Sequence, residues 1–118
     1  MAPLAFTTTL TSAGDALISL TGELDLSGAP PLEEEIGRLA EQDGVRRVVL
    51  DLRELEFMDS SGLRLVALAS RSLSAAGREL VLVRSHDPIQ RVFAITGMED
   101  HLTFVDDPGS LTDGETAT

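Results

Sequence analysis

The sequence predicts one α/β domain: a mostly parallel sheet of four to five strands, with an antiparallel strand at one edge and at least three helices. Apolar stretches of strand length alternate with stretches whose apolar residues recur at helical spacing, in the order β-β-α-β-α-β-α-β. Each predicted helix lies between two strands, so right-handed crossovers make those strands parallel. The 118 residues are enough for one hydrophobic core, which we place in residues 1–105, and the acidic tail 106–118 is predicted to be disordered.

The first half of the chain is predicted to form a hairpin, a helix and a central strand. Residues 5–10 and 16–20 have strand character and are separated by turn-forming residues. A helix is expected from about Ser27, since the two prolines that follow fit only a first helical turn. The nearly continuous apolar run 45–52 is typical of a central strand that is covered on both faces.

The second half is predicted to continue the alternation of helices and strands. A helix is expected over 60–76, because its apolar residues fall on one face and a glycine follows it. Residues 79–84 form the next predicted strand, Asp87 opens a short helix, and 102–105 make a last strand.

The helix predicted over 60–76 has two sides. At 100° per residue, the side expected to face the core contains Leu63, Val66, Ala67, Ser70 and Leu73. Leu65 and Leu68 fall on the opposite side, which also contains Arg64. We therefore predict that these two leucines face outward, and a partner surface there is one interpretation.

The composition excludes several kinds of site. The chain has no cysteine, which rules out disulfides, thiolate metal ligands and a cysteine nucleophile. Its net charge of −11 repels nucleic acid and anionic membranes and suits a basic protein partner. No apolar run has the length of a membrane span, and the first residues lack the features of a signal peptide. We therefore expect a cytoplasmic protein with neither a nucleic-acid nor a membrane partner.

No catalytic site is expected. A serine nucleophile needs a base, and the two histidines, His86 and His101, stand at no spacing that indicates one. Carboxylate pairs could be drawn from Glu23, Asp25 and Asp59, but a chain with 20 acids contains such pairs by chance. Calcium-loop and phosphate-binding fingerprints are absent from the sequence. We predict a protein that is not an enzyme and that binds no cofactor or metal itself.

Two adjacent serines, Ser60 and Ser61, start the helix that follows the central strand. A hydroxyl at this position can cap the helix. If it is phosphorylated, its new charge lies beside the unpaired N–H groups of the first turn. Gly62 lowers the steric barrier around the serines, and Phe57 and Met58 are expected to anchor the loop in the core. The residues alone leave both interpretations open, a cap or a switch.

A second loop is expected close to these serines. Gly22, Glu23 and Asp25 follow the second predicted strand, and in parallel sheets such loops gather at the carboxyl ends of the strands. If the two strands are neighbours, the acids of this loop approach Ser60 and Ser61.

Three segments, in this order and at this spacing, resemble the STAS domain, and in particular the stand-alone anti-sigma factor antagonists of bacteria. They are 20–25 (LTGELD), 48–52 (VVLDL) and 57–63 (FMDSSGL). The resemblance covers residues 5–105, and 91–97 is similar to the last helix of the family.

The resemblance implies a regulator of transcription that works by partner switching, as in bacterial stress responses. The unphosphorylated antagonist would bind an anti-sigma factor that is also an ATP-dependent serine kinase, and the sigma factor would be released. The kinase would phosphorylate the serine after the motif aspartate, here Ser60, with Ser61 as the second candidate. A serine phosphatase would restore binding. ATP and Mg²⁺ would belong to the kinase.

The motif and the helix geometry together define the expected partner-binding surface. Its members are Glu23, Asp25, Met58, Asp59, Ser61, Gly62, Leu65 and Leu68. A different role is also open, since some STAS domains are non-catalytic assembly or regulatory subunits of stressosome-like complexes or of lipid-transport ATPases.

Overall fold

The computed structural model describes residues 2–109 and residue 111, and its elements follow the predicted order. Within these residues five strands form one sheet and three α-helices connect them. The bounds are β1 (Ala5–Leu10), β2 (Asp15–Leu24), α1 (Ala29–Ala40), β3 (Arg47–Met58), α2 (Ser60–Ala75), β4 (Glu79–Val83), α3 (Asp87–Ile95) and β5 (Thr103–Val105). A short 3-10 turn over Met98–His101, which the sequence did not predict, connects α3 to β5.

The strand order across the sheet is the same as the order along the chain. β1 pairs with β2 in antiparallel fashion, and the other three pairs of neighbouring strands are parallel. Right-handed crossovers that all step in one direction place every connecting helix on the same face of the sheet. Apolar residues of α1, α2 and α3 accordingly pack in one core with the inward side chains of the strands. The predicted α/β architecture, including its antiparallel edge, is confirmed.

The opposite face of the sheet carries a second, smaller apolar cluster. Val49, Val81 and Val83 point to this side, and Leu111 packs against them. β3 is therefore buried on both faces, as the apolar run predicted. Of the tail predicted to be disordered, 106–118, only residues 106–109 and Leu111 are described, and the rest of that prediction lies outside the described residues.

β3 is longer than predicted, because it continues beyond residue 52 to Met58 alongside an equally extended β2. Two irregularities in the register let the pair stay together, one between Ser19 and Thr21 and one at Gly22. Gly22 has a φ of +86°, and a side chain there would collide with the backbone of Pro3. The two strands therefore end together, at Leu24 and Met58.

Helix α1 begins at Ala29, two residues after the predicted start, and its two prolines lie in the first turn as predicted. Among the described residues, no helix has the length and apolar character needed to cross a membrane.

Candidate functional site

The ends of β2 and β3 bring two loops side by side at the carboxyl edge of the sheet. Glu23 pairs with Phe57 and Leu24 with Met58 in the parallel register. Beyond the last pair, the N–H of Asp59 donates to the carbonyl oxygen of Leu24, with an N···O distance of 3.3 Å. The prediction that the two loops are neighbours is thus confirmed.

The carboxylate of Asp25 organises the first loop. Its Oδ1 accepts hydrogen bonds from the N–H of Ser27 at 3.1 Å, the hydroxyl of Ser27 at 2.9 Å and the N–H of Gly28 at 2.9 Å. The bond from Gly28, followed by the Ser27 hydroxyl, lowers the pKa of Asp25 below its usual value, so the side chain stays ionised. Because these bonds keep the carboxylate within its own loop, its first role is to shape the entry into α1.

The second loop is organised by Asp59, which is the N-cap of α2. Its Oδ1 accepts from the N–H of Ser61 at 2.8 Å, and its carbonyl oxygen accepts from Gly62 at 3.0 Å and Leu63 at 3.2 Å. The interpretation of the serines as the helix cap is therefore wrong, because the preceding aspartate does the capping. The expectation that unpaired N–H groups of the first turn would face a phosphate is also wrong for Ser61, Gly62 and Leu63, because their N–H groups already donate to Asp59.

Ser60 is the first residue of α2 and is exposed to solvent. Among the described residues its hydroxyl has no hydrogen-bond partner, and neither histidine contacts it; His86 Nε2 instead lies 3.0 Å from the carbonyl oxygen of Leu55. Ser61 is half-buried, and its N–H is the one bonded to Asp59. The two serines thus differ, and the Ser60 hydroxyl is the more accessible one.

Met58 and Gly62 support this loop from the inside. Met58 is only 6% exposed, and a Cβ on Gly62 would overlap Met58 Cγ and lie 3.0 Å from Leu24 Cγ. Gly62 is therefore needed for close packing of the first turn of α2 on the ends of β2 and β3. Their predicted contact with a partner stays a prediction. Phe57, which we expected to be in the core, is instead 47% exposed, because it points away from the core as the strand ends.

The prediction that both leucines of α2 face outward is wrong for Leu65. Leu65 is 2% exposed, whereas Leu68 is 40% exposed. The reason is that α1 packs beside α2, so the buried part of α2 includes the side facing α1 as well as the side facing the sheet. Leu65 and Ala69 line this contact together with Ile36 of α1. Leu65 is thus unavailable to a partner, and Leu68 is the outward-facing residue of the pair.

Several exposed apolar side chains lie at this end of the sheet and along the groove that Ser61 borders. Leu26, in the first loop, is 77% exposed, and Phe57 lies on the neighbouring strand end. Leu26, Ser61, Arg64 and Leu68 border one groove between α1 and α2. Neither Leu26 nor Phe57 was expected on this surface from the sequence. A signal existed for Leu26, since it is a lone leucine between the loop-forming residues Asp25 and Ser27.

The described residues contain no cluster of three or more His, Cys, Asp or Glu side chains that could hold a metal ion. The arrangement offers an accessible hydroxyl at the start of a capped helix, beside the Asp59 carboxylate and next to a groove with exposed apolar side chains. Such a hydroxyl suits the role of an acceptor for a group delivered by another protein.

Comparison with known proteins places this geometry in a family. The family model described as "STAS domain" matches residues 7–110. The anti-sigma-B factor antagonist of Staphylococcus aureus (strain NCTC 8325 / PS 47) is 36% identical over 83 residues, which are 70% of this chain and 76% of that protein.

Solved structures agree with this placement. The anti-sigma factor antagonist SpoIIAA in its unphosphorylated form is similar with a TM-score of 0.74 and 24% identity, over 96% of this chain and 98% of that one. The Bacillus cell fate determinant SpoIIAA in its phosphorylated form has a TM-score of 0.73 and 25% identity, over 92% of this chain and 98% of that one. The prediction that the chain is not an enzyme agrees with the names of these relatives, which are antagonists.

Proposed function

Because the chain belongs to the STAS family, we propose that it is an anti-sigma factor antagonist whose phosphorylation state at Ser60 decides whether it binds an anti-sigma factor serine kinase. The observation that carries the proposal is the hydroxyl of Ser60. It is exposed, it has no hydrogen-bond partner among the described residues, and it follows the capping aspartate of the motif. In the unphosphorylated form the protein binds the kinase, and the sigma factor is released.

The modification is a phosphoryl transfer from ATP bound to the kinase. A bond forms between Ser60 Oγ and the γ-phosphorus, the bond from that phosphorus to the β,γ-bridging oxygen breaks, and ADP leaves. The proton of the hydroxyl passes to a base of the kinase. A metal-dependent serine phosphatase later hydrolyses the phosphoserine, and the protein itself supplies only the acceptor.

Phosphorylation weakens the complex through surface charge. It adds about −1.5 to −2 charges at neutral pH, directly beside Asp59 and next to the groove that the exposed Leu26 and Leu68 border together with Ser61. A partner surface that buries those apolar groups would have to bury the phosphate as well, which is costly without matching cations. Little change in the backbone is required.

The proposed partners place the protein in the cytoplasm, where sigma factors and ATP are found. The predicted contacts through Glu23, Asp25 and Asp59 belong to the same surface, since their loops lie side by side. Leu68 extends it along α2, and Leu26 is added to it because of its exposure.

The test is incubation with the cognate kinase and ATP, followed by mass spectrometry and a pull-down with the kinase. We expect one phosphoryl group on Ser60 and binding only before the reaction. Ser60→Ala should bind and stay unmodified, while Ser61→Ala serves as the matched control and should be phosphorylated normally. Phosphate found only on another residue would disprove the assignment. Stable binding that is indifferent to phosphorylation would instead support the role of an assembly subunit.

A further inference from the structure

Arg64 is one of three arginines that have no partner among the described residues, and of these three it is the nearest in sequence to Ser60. The remaining arginines of the chain are engaged, either with carboxylates or with backbone carbonyls: Arg38, Arg46, Arg47, Arg53, Arg78 and Arg84. Within the described residues Arg64, Arg71 and Arg91 form no hydrogen bond or ion pair, and all three are exposed. An arginine with five free donors is a ready receptor for a phosphate.

The position of Arg64 relates it directly to Ser60. The two residues are four apart on α2, so they lie on the same face one turn from each other, with Cβ atoms about 6 Å apart. Long side chains of a helix lean towards its N-terminus and cover the turn before their own Cα. The guanidinium of Arg64 can therefore reach over Ser60.

Three backbone amides at the start of α2 are already occupied and do not offer a receptor. The amides of Ser61, Gly62 and Leu63 are all bonded to Asp59. The Asp59 carboxylate also repels a phosphate beside it, by like charge. A cationic side chain is therefore the favourable partner for a phosphoryl group on Ser60, and α2 contains no acidic residue that would compete for Arg64.

We propose that Arg64 binds the phosphoryl group of phosphorylated Ser60 within the same molecule. This rests on the proposed function only in taking Ser60 as the phosphorylated residue. The contact favours the dianionic form of the phosphate, so at neutral pH the added charge lies nearer to about −2 than to about −1.5. It also takes a free cation away from the α1–α2 groove, which Arg64 borders before phosphorylation.

Two carboxylates near Arg64 could compete with the phosphate for its guanidinium. Glu33 of α1 borders the same groove, and Asp59 lies beside Ser60. Neither forms an ion pair with Arg64 among the described residues. Arg71 lies on the same helix but about 16 Å from Ser60 along the axis, which is beyond the Debye length of about 8 Å at physiological salt.

The test measures the ionisation of the phosphate. Phosphoserine is installed at position 60 of the full chain by genetic encoding, so the result is independent of any kinase, and its second pKa is followed by ³¹P NMR. Arg64→Gln should raise that pKa by about 0.4 pH unit. Arg64→Lys should restore part of the shift, because a lysine keeps the charge without the planar fork.

Arg71→Gln is the matched control, since it removes one equally free arginine from the same helix. It should change the pKa of the phosphoserine by about 0.1 pH unit or less. Equal shifts in the two variants would reduce the effect to net charge and overturn the proposal, as would an unchanged pKa in Arg64→Gln. Failure of the kinase to modify Ser60 would refute the proposed function and leave this measurement intact.

Discussion

The inner and outer sides of helix α2 are built for opposite purposes. The inner side presents Leu65, Val66 and Leu73, which are buried against the sheet and α1. The outer side presents Ser60, Arg64 and Leu68, which are exposed. The side chains of Ser60 and Arg64 have no hydrogen-bond or ion-pair partner among the described residues. The inner side therefore fixes the position of the helix, and the side chains of the outer side are accessible to modification or binding.

This difference explains how a charge can be added to the protein without disturbing its core. The first turn of α2 is held by the Asp59 cap and by the close packing of Gly62, neither of which involves the Ser60 hydroxyl. A modification of that hydroxyl thus acts on the surface alone. Substitutions on α2 should separate in the same way, into those that affect folding and those that affect binding.

The largest effect is expected for Leu65→Ala. Removing a leucine that is buried between α1, α2 and the sheet should lower the free energy of unfolding by about 2–5 kcal/mol. Urea denaturation followed by circular dichroism would measure it, with Leu68→Ala as the control on the same helix. Similar stabilities of the two variants would mean that the two sides of α2 are not distinct.

A smaller loss is expected for Gly62→Ala. The new methyl group would overlap Met58 and press on Leu24, and such overpacking costs about 1–3 kcal/mol. Thermal unfolding would detect it. Gly37 of α1 is the matched control, because a methyl group there would meet no atom of a neighbouring element within 4 Å, so Gly37→Ala should be neutral or stabilising. A stable Gly62→Ala protein would show that the first turn can move away from the strand ends.

Asp59→Ala tests the cap itself. Loss of the bond to the Ser61 amide should lower stability by about 1 kcal/mol. Asp59→Asn keeps an oxygen acceptor and should recover most of that loss, which denaturant titration of the three proteins would reveal. If Asp59→Ala were as stable as the parent protein, one of the serines would have to be capping the helix in its place.

The smallest change in stability is expected for Leu68→Ala, within about 0.5 kcal/mol, because the side chain lies at the surface and is 40% exposed. Its effect should appear in binding: we expect the affinity for the kinase to fall about fivefold. Isothermal titration calorimetry with Ser74→Ala as an exposed control, far along the same helix, would measure it. Unchanged affinity would remove Leu68 from the proposed partner surface.

The order of elements, the antiparallel edge and the adjacency of the two loops could be predicted from the sequence, because each depends on local periodicity and on the handedness of crossovers. The buried side of α2 could not be predicted fully. Helical spacing identifies one apolar face towards a sheet, whereas Leu65 is buried by a second helix whose position is set by tertiary packing. The end of β3 was missed for a related reason, since its continuation to Met58 depends on pairing with β2.

At the site, the motif located the serines but did not assign their roles. An aspartate and two serines in succession are all good N-cap residues, and only the backbone geometry shows that Asp59 takes that position. The phosphorylation of Ser60 stays a prediction. The exposure of Leu26 and the lack of a partner for Arg64 among the described residues appear only when the neighbouring elements are in place.

The valine cluster on the face opposite the helices needs residues beyond β5 to cover it, and we expect a chain that lacks them to self-associate. Leu111 packs on Val49, Val81 and Val83, although it lies beyond the last strand. A protein that ends at residue 105 would expose these valines next to β5, which is the edge strand of the sheet among the described residues. Apolar strands beside a free edge favour pairing between molecules, so the shortened protein should self-associate even though it retains Ser60, Asp59 and the rest of the proposed partner surface.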